Sequence, residues 1–181
     1  MANEQLFVGI PDGWQKLAEP EGDSGSTSRY VPAGESAEEW SEMLTLQRYP
    51  GVLLDVTEYI DQVIGRIIAG CLRPRHDGPK PVEASAYPAK IAYIECRGPD
   101  PLRMETDKQL KAIEFVVVKA IQGREAFYVV KRAWHGNTPD RHPLNFETAP
   151  QWIGIVKDSE LCDLDDRGQT CRSIGRTGNL N

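Results

Sequence analysis

Apolar and polar positions along the chain divide it into short extended runs and one long helical stretch. The densest run is Ala112 to Trp134, where two β-branched and aromatic segments flank a short turn containing Gly123. That arrangement predicts a β-hairpin. In its first arm Ile113, Phe115 and Val117 alternate with Val116, Val118 and Ala120, so both faces are apolar. A strand of this kind belongs at the centre of a sheet, covered on both sides. From Val56 to Leu72 the apolar residues instead recur at Val56, Tyr59, Ile60, Val63, Ile64, Ile67, Ile68, Cys71 and Leu72. This is the i, i+3, i+4, i+7 series of an amphipathic helix. Asp55 with Glu58 forms a capping box at its start, and Arg73-Pro74 closes it. Gly65 and Gly70 would allow close approach to a sheet.

The remaining elements are shorter. Leu6 to Ile10 reads as a strand stopped by Pro11-Asp12-Gly13, with Trp14 as an anchor after the turn. Glu19 to Ser28 reads as an exposed loop, and Arg29 to Val31 as a strand closed by Pro32. Ser36 to Glu39 matches a capping box and predicts a brief helical turn around Trp40. Met43 to Tyr49 alternates as a strand. Arg75 to Lys90 is rich in proline and reads as loop, with a short strand near Val82 to Tyr87. Lys90 to Arg97 is a strand that Gly98-Pro99 breaks. Thr148 to Gln151 predicts a short second helix through Trp152, Ile155 and Val156, closing an edge or end of the sheet. From about Asp163 the tail is polar.

This order is not the strand–helix alternation of a nucleotide-binding sheet. It predicts an α+β fold: a mostly antiparallel sheet, one long amphipathic helix packed on a face and a short C-terminal helix. The 181 residues suit a single domain spanning 1–181. The formal net charge of −6 argues against a nucleic-acid partner, which requires a basic face, and against an anionic membrane surface. No apolar run approaches the roughly 18–20 residues of a transmembrane segment. Met1 to Gln5 shows no signal-peptide pattern. A cytoplasmic protein and a mature exported form are both compatible with that, and the cysteines favour the exported form, periplasmic or secreted.

Four cysteines are present, at 71, 96, 162 and 171, with no C-x-x-C spacing. Cys162 and Cys171 bracket a polar turn, a spacing that suits a disulfide. Cys71 and Cys96 are either a second bridge or two buried thiols. An even count with one bridge points to an oxidising compartment.

Candidate chemistry is thin. Asp163, Asp165 and Gly168 fit an EF-hand loop at three positions, but Arg167 and Ile174 stand where calcium ligands are needed. Gly22-Asp23-Ser24-Gly25 matches the surroundings of a serine nucleophile only by composition, because no histidine precedes it. His135, Asp140 and His142 are the one cluster with zinc-like composition and define an alternative reading as a small metal-assisted hydrolase. No catalytic set and no cofactor motif is assembled otherwise. Trp40 and Trp134 lie at element ends, and Lys119, Lys131 and Arg132 interrupt the apolar strands. These five residues are the candidate lining of a binding groove.

Three stretches carry a resemblance: Ile10-Pro11-Asp12-Gly13-Trp14; Tyr30 to Ser36 continuing to Trp40 through Thr45; and Lys119 to Arg124 with Tyr128-Val129-Val130. Together they resemble uncharacterised proteobacterial exported proteins, a group in which a terminal cysteine pair like Cys162 and Cys171 is usual. More loosely, the order of elements is similar to Mog1/PsbP-like domains. That resemblance implies a non-catalytic accessory or binding protein; together with the expected disulfides, the acidic surface and the lack of an assembled catalytic set, it gives an accessory or binding domain of the bacterial envelope or periplasm, whose partner is another envelope protein or a small ligand. An immunity-type or structural protein with one tight partner is a further alternative.

Overall fold

A computed structural model describes residues 4–18, 25–82, 86–99, 113–136 and 148–166. The described elements, in chain order, are β1 (Glu4–Phe7), β2 (Trp14–Lys16), β3 (Ser26–Pro32), β4 (Glu42–Pro50), α1 (Val56–Ile68), β5 (Cys71–Pro81), β6 (Ala89–Pro99), β7 (Ile113–Gln122), β8 (Ala126–Gly136), α2 (Ala149–Lys157) and β9 (Glu160–Asp163). Seven strands form an antiparallel sheet in the order β2-β3-β4-β8-β7-β6-β5, and β1 pairs with β9 in a separate two-stranded ribbon. The fold is α+β, as the periodicity predicts.

The hairpin forms as expected. β7 and β8 pair from Ile113↔Gly136 to Gln122↔Phe127 and occupy the middle of the sheet. Both of their faces are buried, so two cores exist. On one face Val116, Val118, Ala120, Phe127 and Val129 pack with Val56, Ile60 and Ile64 of α1. On the other, Phe115, Val117, Ile121, Tyr128, Val130 and Trp134 pack with Trp152 and Val156 of α2 and with Leu6, Val8 and Leu161 of the ribbon region. At ~25 cal/mol per Å² of apolar surface, removal of these β-branched and aromatic side chains from water is the main force holding both layers on the sheet.

At the turn between β7 and β8, Glu4 accepts hydrogen bonds from the backbone N–H of Arg124 (2.6 Å) and Glu125 (3.3 Å). A Cβ on Gly123 would lie 2.6 Å from Glu4 Oε2 and 3.0 Å from the Ala126 carbonyl oxygen. Glycine is therefore needed there to admit the carboxylate, and the N-terminal strand is tied to the hairpin tip.

Several expectations are corrected. α1 ends at Ile68 rather than near Leu72: the N–H of Ala69 bonds to the Gly65 carbonyl, that of Gly70 bonds to the Ile67 carbonyl in a tightened last turn, and Cys71 is drawn into β5. Leu72 is consequently exposed. Asp55 does cap the helix, accepting from Thr57 N–H (2.8 Å) and Glu58 N–H (2.9 Å), and these bonds hold its carboxyl below the usual range. Gly65 meets no atom within 4 Å and permits no close approach.

Residues 75–81, read as loop, belong to the eleven-residue strand β5. Prolines 74, 79 and 81 are tolerated because among the described strands β5 pairs only with β6 and is an edge, where a missing N–H faces away from the ladder. A register shift between Asp77 and Lys80 accommodates Gly78, which has φ +113° and packs against the backbone of Ile91 and Ala92. β6 also runs on through Gly98 to Pro99, which pairs with Cys71.

The Ser36 hydroxyl accepts from the N–H groups of Glu38 and Glu39, as in a cap, but no helix follows. Glu35 instead binds Ser41 N–H and Oγ, leading the chain directly into β4. Ser26 to Ser28 join β3, β1 begins at Glu4 and pairs outside the main sheet, and β9 lies where the tail was read as beginning. α2 does not close an edge: it packs on the face of β7 and β8 opposite α1.

Candidate functional site

Strand alternation sorts the five candidate groove residues onto two faces. Lys119, Arg132 and Trp134 share the α2 face with Phe115, Tyr128 and Val130, whereas Lys131 shares the α1 face with Val129 and Ala133. Trp40 also packs against the α1-side core. The structure therefore does not bring all five together.

On the α2 face the cations hold the helix to the sheet. The Arg132 guanidinium forms a salt bridge with Glu42 from the neighbouring strand, with Nη2 2.7 Å and Nε 3.1 Å from Oε2. Its Nη1 donates to the Trp152 carbonyl at 3.1 Å. The indole N–H of Trp152 reaches the same Glu42 oxygen at 2.7 Å. The guanidinium carbon stands 4.7 Å from the Trp152 ring centroid and 5.2 Å from that of Trp14, within cation–π range. Burial lowers the Arg132 pKa, and Glu42 opposes that shift.

Lys119 is also buried, and its Nζ donates to the carbonyls of Lys157 (2.9 Å) and Ser159 at the C-terminal end of α2. These carbonyls have no further helical turn to bond to, and the negative end of the helix dipole favours a cation there. Burial brings the Lys119 pKa down to about 8, against the opposing pull of Glu160 and Asp158. Trp134 is buried in the same core, with Gly136 close over its ring. Lys119, Arg132 and Trp134 thus have packing and docking roles.

The α1 face is different. α1 packs mainly on β5, β6 and β7 and meets β8 at Phe127, so β4 and β3 lie toward the side of that face away from the helix. Register places Arg29, Thr45 and Lys131 opposite one another on three adjacent strands. The trio crosses the sheet, with Cα spacings of about 5 Å per strand. Buried Met43, Val129 and Ala133 surround it. One end of this area is bounded by Trp40, whose ring meets the His135 ring edge-on at 4.3 Å between centroids. Tyr49 and Tyr59 bound the other, with Tyr59 against Phe127 at 4.9 Å. Burial among these groups raises the Tyr59 pKa to about 12.

Lys131 is partly buried, and burial lowers its pKa; Glu114 opposes the shift and Arg29 adds to it. Among the described residues no hydrogen bond or ion pair within 4 Å reaches its ammonium. No sequence signal marks Arg29 and Thr45 as its neighbours, because they come from β3 and β4.

Cys71 and Cys96 form a disulfide with Cα atoms 5.6 Å apart, joining the edge strand β5 to β6. Of the two sequence readings for this pair, the bridge is the one found. Cys162 is disulfide-bonded too, while Cys171 lies outside the described residues. Asp163, considered for calcium, accepts from Arg124 Nη1 at 2.9 Å and from Asp165 N–H at 3.0 Å. Of the zinc-like trio, His135 is on β8 and contacts Trp40, and Asp140 and His142 fall outside the described residues. No group of three or more metal-ligating side chains occurs among the described residues. None of the described helices is long and apolar enough to cross a membrane.

No protein-family model matches the chain, and no curated protein matches it. Neither comparison supports the resemblance to Mog1/PsbP-like domains. Among solved structures, the chain is similar to LpqN of Mycobacterium tuberculosis, described as involved in cell envelope biogenesis. The TM-score is 0.52 at 12% identity, covering 88% of this chain and 84% of that one. At that identity the likeness is one of fold.

Proposed function

We propose that the chain is a non-enzymatic accessory or binding domain of the bacterial envelope, working outside the cytoplasm by surface contact with another envelope protein or a small ligand. The observation that carries this reading is the Cys71–Cys96 disulfide, which cross-links the edge of the sheet. Such bridges persist in oxidising compartments and are rare where thiols are kept reduced. The fold shared with an envelope-biogenesis protein supports the same compartment. The candidate side chains support binding over catalysis: Lys119 and Arg132 are committed to holding α2, while the polar row on the α1 face lies on hydrogen-bonded strands of the main sheet. Fractionation of the source cells, with detection by antibody, tests the proposal. Recovery with the envelope or periplasmic fraction is the expected result, and recovery with the cytosol overturns it.

A further inference from the structure

The protein carries a net charge of −6, yet one strip of its sheet has cations in surplus. Register puts Arg73 directly opposite Arg97, and Arg75 opposite Glu95, on the strand pair β5-β6. Continued into β7, it sets Arg97 opposite Ile113 and Glu95 opposite Phe115. Both of these apolar residues belong to the core beneath α2, so Arg73, Arg75, Glu95 and Arg97 share the α2 face. Asp77 and Lys80 lie further along the same strip, opposite Tyr93 and Ile91. The carboxylates of the strip are already engaged: Glu95 pairs with Arg97, and Asp77 with Lys80 at 2.6 Å. Arg73 and Arg75 are exposed, and neither has a hydrogen bond or ion pair among the described residues. Like charges directly opposite on adjacent strands, about 5 Å apart at Cα, repel one another. Packing does not explain an Arg73–Arg97 pair of this kind.

A single small anion gains little here, because isolated ion pairs exposed to water are weak. A chain carrying several carboxylates gains at each position. Arg73 and Arg75 are two residues apart on a strand, about 6.8 Å, which is also the spacing of alternate side chains in an extended peptide. Prolines 74, 79 and 81 deny such a peptide a regular backbone ladder along β5, so contact is made through side chains. Guanidinium suits that role, since it binds carboxylate through two parallel hydrogen bonds. An anionic bilayer fits less well. α2, about 10 Å across, stands on β7 and β8 of this face, and a flat surface meets it before the arginine row.

We propose that Arg73, Arg75 and Arg97 form a docking strip for an extended acidic segment of a partner protein, with carboxylates at alternate positions. This names the chemistry of the partner in the binding reading given above and rests on it. Arg73 and Arg75 supply the free guanidinium groups, and Arg97 adds a third while it keeps Glu95. The Cys71–Cys96 bridge ties the start of β5 to β6 beside them, so the row is in place before the partner arrives.

The test is an NMR titration of backbone amides, at about 0.15 M salt, with a short end-capped peptide of alternating Asp and Ser. An Asn-Ser peptide removes the charge, and a peptide of the same composition with its Asp residues in one block removes the spacing. Phosphatidylglycerol vesicles probe the bilayer. Saturable shifts centred on Arg73, Arg75 and Arg97 are expected with the alternating Asp peptide, and weaker binding with both control peptides. The double variant Arg73→Gln/Arg75→Gln should weaken it about tenfold, the combined size of two exposed ion pairs, with thermal stability unchanged or raised. Arg66→Gln, which removes an equal charge from the exposed side of α1, should leave the affinity within about twofold. Absence of peptide binding, unchanged binding in the double variant, an equal loss in Arg66→Gln, equal binding of either control peptide, or shifts confined to another surface would each overturn the strip. Vesicle binding that depends on Arg73 and Arg75, without peptide binding, would assign the row to lipid and overturn it too. Any of these failures leaves envelope localisation intact, whereas cytosolic recovery removes the underlying reading whatever the peptide does.

Discussion

The Lys119 ammonium, from the middle of the central strand β7, donates to the carbonyl of Lys157 in the last turn of α2, 2.9 Å away. A strand cation thereby terminates a helix 38 residues further along the chain. This contact, with the second one to Ser159, explains why a charged residue lies within an otherwise apolar strand.

Replacement of Lys119 by Met should lower stability at neutral pH by about 2 kcal/mol, because the buried Ser159 carbonyl and the part-buried Lys157 carbonyl lose their donor. The pH dependence should change as well. The folded Lys119 pKa is lowered to about 8 from its usual 10.5, so between these values the unfolded chain binds more protons than the folded one. Stability contributed by this group therefore rises with pH from about 8 to 10.5 and is constant below. Urea unfolding at pH 7, 8.5 and 10 should show the wild type gaining relative to Lys119→Met. Parallel curves would contradict this.

Glu42, Arg132 and Trp152 share one buried network, so their contributions should not add. Glu42→Gln and Arg132→Met should each cost about 3 kcal/mol, since each leaves a charge without its partner. The double variant should cost less than the sum by at least ~1 kcal/mol in a double-mutant cycle measured by urea unfolding. Additive losses would show that the pair acts as two independent contacts.

The Cys71–Cys96 bridge closes a segment with a sequence separation of 25. Chain-entropy reasoning assigns such a loop about 3 kcal/mol. The double variant Cys71→Ser/Cys96→Ser should unfold at correspondingly lower urea, with faster amide exchange in β5, the edge strand. Unchanged exchange there would mean that pairing to β6 alone holds the edge.

Gly123→Ala should displace Glu4 from the hairpin tip, since the added methyl would meet its carboxylate oxygen at 2.6 Å and the Ala126 carbonyl at 3.0 Å. A loss of about 1–2 kcal/mol is expected, with faster amide exchange at Arg124 and Glu125. Glu4→Gln, which retains acceptor oxygen without the charge, should lose less.

Local pattern made some of this architecture legible. The hairpin, the double-sided burial of β7 and the existence of α1 all follow from residue periodicity, and each is found. β5 was hidden because prolines 74, 79 and 81 argue against a strand unless it is known to be an edge, and edge position is a property of the whole sheet. The end of α1 was hidden for a related reason. Cys71 and Leu72 fit the helical stripe, but Cys71 is held on β5 through its bridge to Cys96.

The charged residues show the same division. Lys119, Lys131 and Arg132 stand out in the sequence as interruptions of apolar strands. Their roles depend on which face each occupies and on what covers it. Arg132 meets Glu42 and Trp152 from distant segments, and Lys119 meets the end of α2. Arg29 and Thr45 carry no local signal and join Lys131 only through strand order.

An oxidising envelope compartment, as proposed, keeps the Cys71–Cys96 bridge closed in the living cell. The most direct measurement is the intact mass of the protein from source cells whose thiols are alkylated before lysis, under denaturing, non-reducing conditions. No alkyl adduct on Cys71 or Cys96 is expected, with alkylation of both only after reduction. Adducts on both residues without reduction would contradict it.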